Sequence, residues 1–249
     1  MGLRTTVLLL LMLLGGAVAN ASDKPQLGQI HLVSEDWLDY TNADGTGLAW
    51  DVLRQVFEPA GVKVSIQSAP YSRAIGLVKR GEADAWVGSY KQESDDNLYP
   101  RWHFDVDHIY ALGLTSKPVP TPANIGDYRL AWVRGYDYGS YLPNVHEFRE
   151  IQRREGILPM LEHNRVDFYV DSLTEVEYVQ AQAPKPDSFR RTHVAELPLY
   201  LAFAHNEQGK ALSALFDQRM QQLVRSGELE AVFKKWKQPY PFTADSQPR

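Results

Sequence analysis

Two spacings of apolar residues alternate along the chain. Ile30, Leu32 and Val33 read as a strand, and a polar turn, Asn42-Ala43-Asp44-Gly45, separates them from a second pattern. There Leu48, Ala49, Val52, Leu53, Val56 and Phe57 recur as on one face of a helix, which Pro59 and Gly61 stop. Val62, Val64 and Ile66 alternate as a strand does. Ala74, Ile75 and Val78 mark a short helix ending at Gly81, and the apolar run Ala83 to Val87 predicts a third strand. This strand and helix order predicts a mostly parallel sheet with helices on its faces, an α/β architecture.

The alternation restarts after Pro118, Pro120 and Pro122, near residue 117. Arg129 to Val133 reads as a strand, and Gly135 to Gly139 as a turn leading into a helix. Met160 and Leu161 sit on a further helix, Asp167 to Val170 on a strand, and Leu173 to Gln182 on the helix that follows. Phe189 to Ala204 is extended. Leu212, Leu215, Phe216, Met220, Leu223 and Val224 form an amphipathic helix, which Gly227 interrupts before a last short helix carrying Leu229, Val232, Phe233 and Trp236. Two α/β units and a helical tail are predicted; periodicity leaves open which unit the tail packs on.

The first residues belong to neither unit. Arg4 precedes the unbroken apolar run Val7 to Leu14, and Ala19-Asn20-Ala21 is a small-x-small cleavage site. Residues 1–21 therefore read as a secretory signal peptide, since the run falls well short of the roughly 20 residues that span a bilayer. The expected product begins at Ser22 and is soluble in the periplasm. With no cysteine among 249 residues there is no disulfide framework, thiol nucleophile or cysteine metal site. A net charge of -5, from 26 Lys+Arg against 31 Asp+Glu with the cations scattered, gives no footprint for nucleic acid.

Five stretches in order resemble the family 3 periplasmic solute-binding proteins, the group that includes the polar amino-acid receptors of ABC importers. Asp44-Gly45-Thr46-Gly47-Leu48-Ala49-Trp50-Asp51-Val52-Leu53 looks like the family's "DGxxGxxxDL" start of its first helix, and Gly81-Glu82-Ala83-Asp84-Ala85-Trp86 like its "GxxDA" strand start. Trp132-Val133-Arg134-Gly135-Tyr136-Asp137 is similar to its "VxxGTxx" turn, and Asn164-Arg165-Val166-Asp167 to a second "GxxD". Leu223-Val224-Arg225-Ser226-Gly227-Glu228-Leu229 with Lys235-Trp236 looks like its "LxxxGxLxxIxxKW" ending. The resemblance implies a two-lobed receptor closing on a small solute. Lobe one would span 22–113 with 198–249, and lobe two 114–197. It also implies a periplasmic monomer that passes an amino acid or similar small polar zwitterion to an ABC importer's membrane permease. Some relatives of these receptors are cyclohexadienyl dehydratases, so an exported dehydratase, with Glu35, Asp36 or Glu93 as general acid, is one alternative. A receptor that reports its ligand to a signalling partner is the other, and the sequence does not separate it from transport.

Open α/β sheets bind ligands beyond the carboxyl ends of their strands, which directs attention to the loops there. Trp37 and Tyr40 follow the first strand beside Glu35, Asp36 and Asp39, and their rings suit a ligand or its cationic group. Ser89, Tyr90 and Lys91 follow the third strand with a hydroxyl and a cation for a carboxylate. Arg73 opens the second helix in Pro70-Tyr71-Ser72-Arg73-Ala74, similar to a "PWxRA" found in part of the family. In the second unit Arg134, Tyr136 and the amides up to Gly139 form an expected anion site. Asp171 falls close to where family members hold the ligand ammonium; it or Ser172 also suits a helix N-cap.

One departure concerns the "TxxR" whose Arg clamps the α-carboxylate in amino-acid receptors of this family. Tyr90 to Pro100 contains no Arg. Arg73, Lys91 or Arg101 would have to replace it, or the ligand is not an ordinary α-amino acid. His103, Asp105, Asp107 and His108 make the one metal-like cluster, and the polarity of a solvated strand accounts for it. No Gly-rich phosphate loop or serine elbow is present. No metal, cofactor or catalytic residue is assigned from the sequence.

Overall fold

The computed structural model describes residues 27–243 and 245–248, so the signal-peptide reading of residues 1–21 lies outside the described residues. The first unit runs β1 (Gln29–Ser34), α1 (Leu48–Phe57), β2 (Lys63–Ser68), α2 (Tyr71–Lys79) and β3 (Ala85–Ser89). A long β4 (Asp105–Leu114) leads to the second unit: β5 (Leu130–Val133), β6 (Phe148–Ile151), α3 (Ile157–Glu162), β7 (Phe168–Ser172) and α4 (Leu173–Ala181). Then come β8 (Phe189–Phe203), α5 (Glu207–Ser226) and α6 (Glu230–Lys235). The strands form one curled sheet in the order β2-β1-β3-β8-β4-β7-β5-β6. β1 runs parallel to β2 and β3, and β5 parallel to β6 and β7. The two long strands join the halves, because β8 pairs antiparallel with β3 from Tyr200 to Phe203 and with β4 from Phe189 to Leu199. Among the described residues no helix is long and apolar enough to cross a membrane.

The helix α1 buries its whole apolar face, Leu48 to Phe57, and meets α5 where Phe57 and Phe216 approach to 6.1 Å between ring centroids. Its one acid, Asp51, accepts hydrogen bonds from Lys235 Nζ at 2.7 Å and Trp236 Nε1 at 2.8 Å. The helical tail therefore packs on the first unit. α5 starts at Asn206, whose side chain accepts from the Gly209 N–H at 2.7 Å, and stops at Gly227 in the left-handed conformation. The two "GxxD" aspartates are structural ties. Asp84 accepts the His31 N–H at 2.7 Å, and Asp167 takes Arg129 Nε and Nη2, each at 2.9 Å, and Lys117 Nζ at 2.7 Å. Those bonds, Arg129's first, hold the Asp167 carboxyl well below the usual carboxylate range.

One predicted element is absent. After Val133 the chain makes a single 3-10 turn, Tyr138–Ser140, and crosses to β6, which the periodicity missed. Tyr136 and Tyr138 turn inward and are buried, and Asp137 takes a positive φ of 48°. Pro143 then follows within a few residues. The anion site expected at Arg134 to Gly139 thus has no helix behind it.

Candidate functional site

Where β1, β3, β5 and β7 end, and β4 begins, a cavity of about 110 Å³ lies between the two units. That is of the order of the apolar cavity of about 150 Å³ that takes one benzene, so it suits a small solute. Its aromatic wall is Trp37, Tyr40, Tyr71, Tyr90, Tyr136 and Tyr138. Trp37 and Tyr40 are set by Gly47, at φ 130°, where a Cβ would sit 2.2 Å from the Tyr40 carbonyl oxygen. The loop consequently lies directly on the start of α1, with the Leu48 and Ala49 N–H groups donating to Asp39 and Tyr40 carbonyls. The Trp37 ring rests on Gly88, where a Cβ would meet it at 2.8 Å, and its Nε1 donates to Tyr136 Oη at 2.8 Å. That bond runs from the first unit to the second.

The same wall carries Asp105, Asp107, Asp171 and Glu175, and among the described residues no lysine or arginine lines it. Tyrosine hydroxyls hold three of these carboxylates. Tyr40 donates to Asp105 at 2.9 Å, Tyr90 to Asp107 at 2.8 Å, and Tyr169 to Asp171. Just behind, Glu93 accepts from Tyr71 Oη at 2.8 Å, Ser89 Oγ at 2.9 Å and the Tyr90 N–H at 3.1 Å. Burial pushes the Asp105 and Asp107 carboxyls up to about 7 and Glu93 to about 6, because removal from water disfavours the charged form more than the hydroxyls favour it. Asp107 is raised further by the charges of Asp171, Asp105 and Glu175.

Behind Asp171 sits Arg154, on the turn after β6. Its Nε lies 3.1 Å from Asp171 and 3.0 Å from Glu175, its Nη1 3.6 Å from Glu35, and its Nη2 donates to Tyr136 Oη at 2.8 Å. Burial works against the guanidinium charge, but Asp171, Tyr136, Tyr169 and Glu175 more than offset it, so Arg154 is firmly cationic. Three carboxylates share one cation, and burial leaves Glu175 raised to about 7 despite Arg154. Arg154 is thereby committed to the framework, and the cavity keeps an excess of carboxylate.

No protein-family model and no curated protein matches the chain. Solved structures do match. The substrate-binding protein of an amino acid ABC transporter is 15% identical with a TM-score of 0.64, the match covering 84% of this chain and 99% of that one. A histidine kinase sensor domain with similarity to periplasmic binding proteins is 16% identical with a TM-score of 0.65, covering 84% and 95%. The ancestral amino acid-binding protein AncCDT-1, a precursor of cyclohexadienyl dehydratase, is 16% identical with a TM-score of 0.63, also covering 84% and 95%. The chain has the two-lobed type II periplasmic-binding fold.

On this periplasmic-binding fold the residues singled out from sequence divide into two groups. Trp37, Tyr40, Tyr90, Tyr136 and Asp171 line the cavity. Ser89 is buried one layer back, against Glu93. Arg73 is exposed on α2, Arg134 is exposed 3.7 Å from Glu150, and Lys91 is exposed with its ammonium 5.6 Å from the Tyr200 ring centroid. None of the three cations lines the cavity. His103 precedes β4, stacks on Phe242 at 4.8 Å and places its Nδ1 3.0 Å from the Asp105 carbonyl oxygen. Sequence reasoning did not single out Tyr138, Arg154 or Glu175. Ser172-Leu173-Thr174-Glu175 reads as a helix-capping box, and the Glu175 N–H does donate to Ser172 Oγ at 3.5 Å while its carboxylate faces Arg154.

Proposed function

We propose that the chain is a solute-binding protein whose two lobes, about 22–113 with 198–249 and 114–197, close on a small amine-bearing solute of amino acid type. The observation that carries this reading is a cavity with four carboxylates and six aromatic rings on its wall and, among the described residues, no lysine or arginine. An ammonium or guanidinium meets Asp171 and Asp107 through charged hydrogen bonds, each contributing about 1.5–3 kcal/mol, and rests on the faces of Trp37, Tyr40, Tyr90 and Tyr136. With Arg73, Lys91 and Arg134 away from the wall, recognition rests on the solute's cationic end rather than on a carboxylate clamp. In this role the chain is exported, freed of its leader, and works as a periplasmic monomer that delivers the solute to the permease of an ABC importer. The likeness to an amino acid transporter's substrate-binding protein supports that destination.

A thermal-shift screen tests the reading. Amine-bearing amino acids and simple amines raise the melting temperature, and dicarboxylic acids of the same length leave it unchanged; the reverse order overturns it. One observation favours a second reading, an exported dehydratase: Asp107, raised to about 7 by burial and facing the cavity, is a proton donor near neutral pH. The likeness to a dehydratase precursor supports the same idea. Product from prephenate or arogenate, lost in Asp107→Asn, would establish it; the binding reading expects no turnover.

A further inference from the structure

A second constellation lies on the two strands that join the halves of the sheet. β4 and β8 pair with His108 opposite Glu196. In a regular ladder the next residue of β8 on that face would be Val194, since side chains alternate. Instead the register shifts between Ile109 and Tyr110, Val194 is left without a partner, and His193 stands opposite Tyr110. The bulge sends Val194 into the core at 2% exposure and brings the exposed His193 round to the face of His108 and Glu196. Bulges of this kind re-aim side chains, and this one assembles two imidazoles and a carboxylate.

The distances are close to those of a coordination shell. Glu196 Oε1 lies 3.5 Å from His108 Nδ1 and 4.0 Å from His193 Nε2, and one donor atom from each residue lies within 4.8 Å of the other two. Tetrahedral zinc with bonds of about 2.0–2.1 Å separates its ligand atoms by about 3.4 Å, so small side-chain rotations suffice. We propose that His108, His193 and Glu196 bind a divalent transition ion of the zinc class. Two imidazole nitrogens select such an ion over calcium or magnesium, which take oxygen ligands. Three protein ligands leave a position for water. The ion would fasten β4 to β8 across the bulge, and its site shares His108 with the cavity wall.

Calorimetric titration of the purified, tag-free chain with zinc, without solute, tests this. One ion per chain is expected, with calcium and magnesium giving no heat. His193→Ala and Glu196→Gln should each weaken zinc binding by roughly tenfold or more, on the scale by which metal-site substitutions act. Both residues are exposed, so the zinc-free variants should melt at the wild-type temperature, which separates lost ligation from misfolding. Absence of zinc binding, or binding unchanged in both variants, overturns the proposal.

Discussion

Replacing Arg154 with methionine isolates the electrostatic framework of the cavity. The guanidinium side chain is 15% exposed, and the Asp171, Glu175 and Glu35 side chains it neutralises are 2%, 10% and 19% exposed. Breaking a buried ion pair by removing one partner costs about 3–5 kcal/mol, because the remaining charge is stranded. The stranded carboxylates escape by taking up protons, an escape that grows dearer by about 1.4 kcal/mol for each pH unit above a carboxyl's pKa. Glu175, raised to about 7 by burial although Arg154 lowers it, is mostly neutral at pH 5 and mostly charged at pH 8. The loss of about 3–5 kcal/mol is therefore felt more fully at pH 8 than at pH 5. Melting followed by circular dichroism should show Arg154→Met lowered by about 10 °C at pH 8, at roughly 2–4 °C per kcal/mol for a chain of this size, and by clearly less at pH 5. Arg134→Met, at an exposed position, is the control and should melt near wild type at both pH values. Melting of Arg154→Met within 2 °C of wild type at pH 8, by a scale of about 2–4 °C per kcal/mol, or a larger loss at pH 5 than at pH 8, would refute the reasoning.

Asp105 and Asp107 at about 7, with Glu93 at about 6, bind protons in the folded chain that the unfolded chain has already released. Folding stability of the solute-free chain should consequently fall as pH rises from the ordinary carboxylate range through 7, and melting temperatures rising steadily from pH 5 to pH 8 would contradict this. Gly88→Ala places a Cβ 2.8 Å from the Trp37 ring at a residue of φ 84°. It should cost about 1–3 kcal/mol and displace Trp37 from Tyr136, read as a lowered melting temperature together with weakened solute binding.

The fold was largely legible because both units write their strands and helices in clean periodicities: Leu48 to Phe57 forms α1 as its spacing requires, and Phe189 to Phe203 is one long strand. β6 was not legible. Phe148-Arg149-Glu150-Ile151 is mostly exposed, so no face of it is marked by apolar residues, and Arg154, which follows its carboxyl end, went unnoticed with it. Aromatic residues after strand ends pointed to the cavity, since Trp37, Tyr40, Tyr90 and Tyr136 all line it. Charge was harder to read. Arg73, Lys91 and Arg134 lie as near to strand or helix ends as Asp171 does, and only the third dimension shows that their side chains point elsewhere. Asp105 and Asp107 read as polar positions of a solvated strand, whereas the start of β4 places them against Tyr40 and Tyr90 of the first unit.

The central claim, that this cavity recognises a cation through buried carboxylates, is tested most directly by calorimetry of wild type and Asp107→Asn with three solutes: an amino acid with a cationic side chain, the corresponding amine without its carboxylate, and the corresponding acid without its amine. Asp107 has Tyr90 as its hydrogen-bond partner, so the substitution removes none of the ion pairs that Arg154 makes with Asp171, Glu175 and Glu35. The account predicts one site per chain for the two amine-bearing solutes, none for the acid, and roughly tenfold weaker binding in Asp107→Asn, in keeping with a lost charged hydrogen bond of about 1.5–3 kcal/mol. Binding of the acid as tight as that of the amine, or amine binding undiminished in Asp107→Asn, would contradict it.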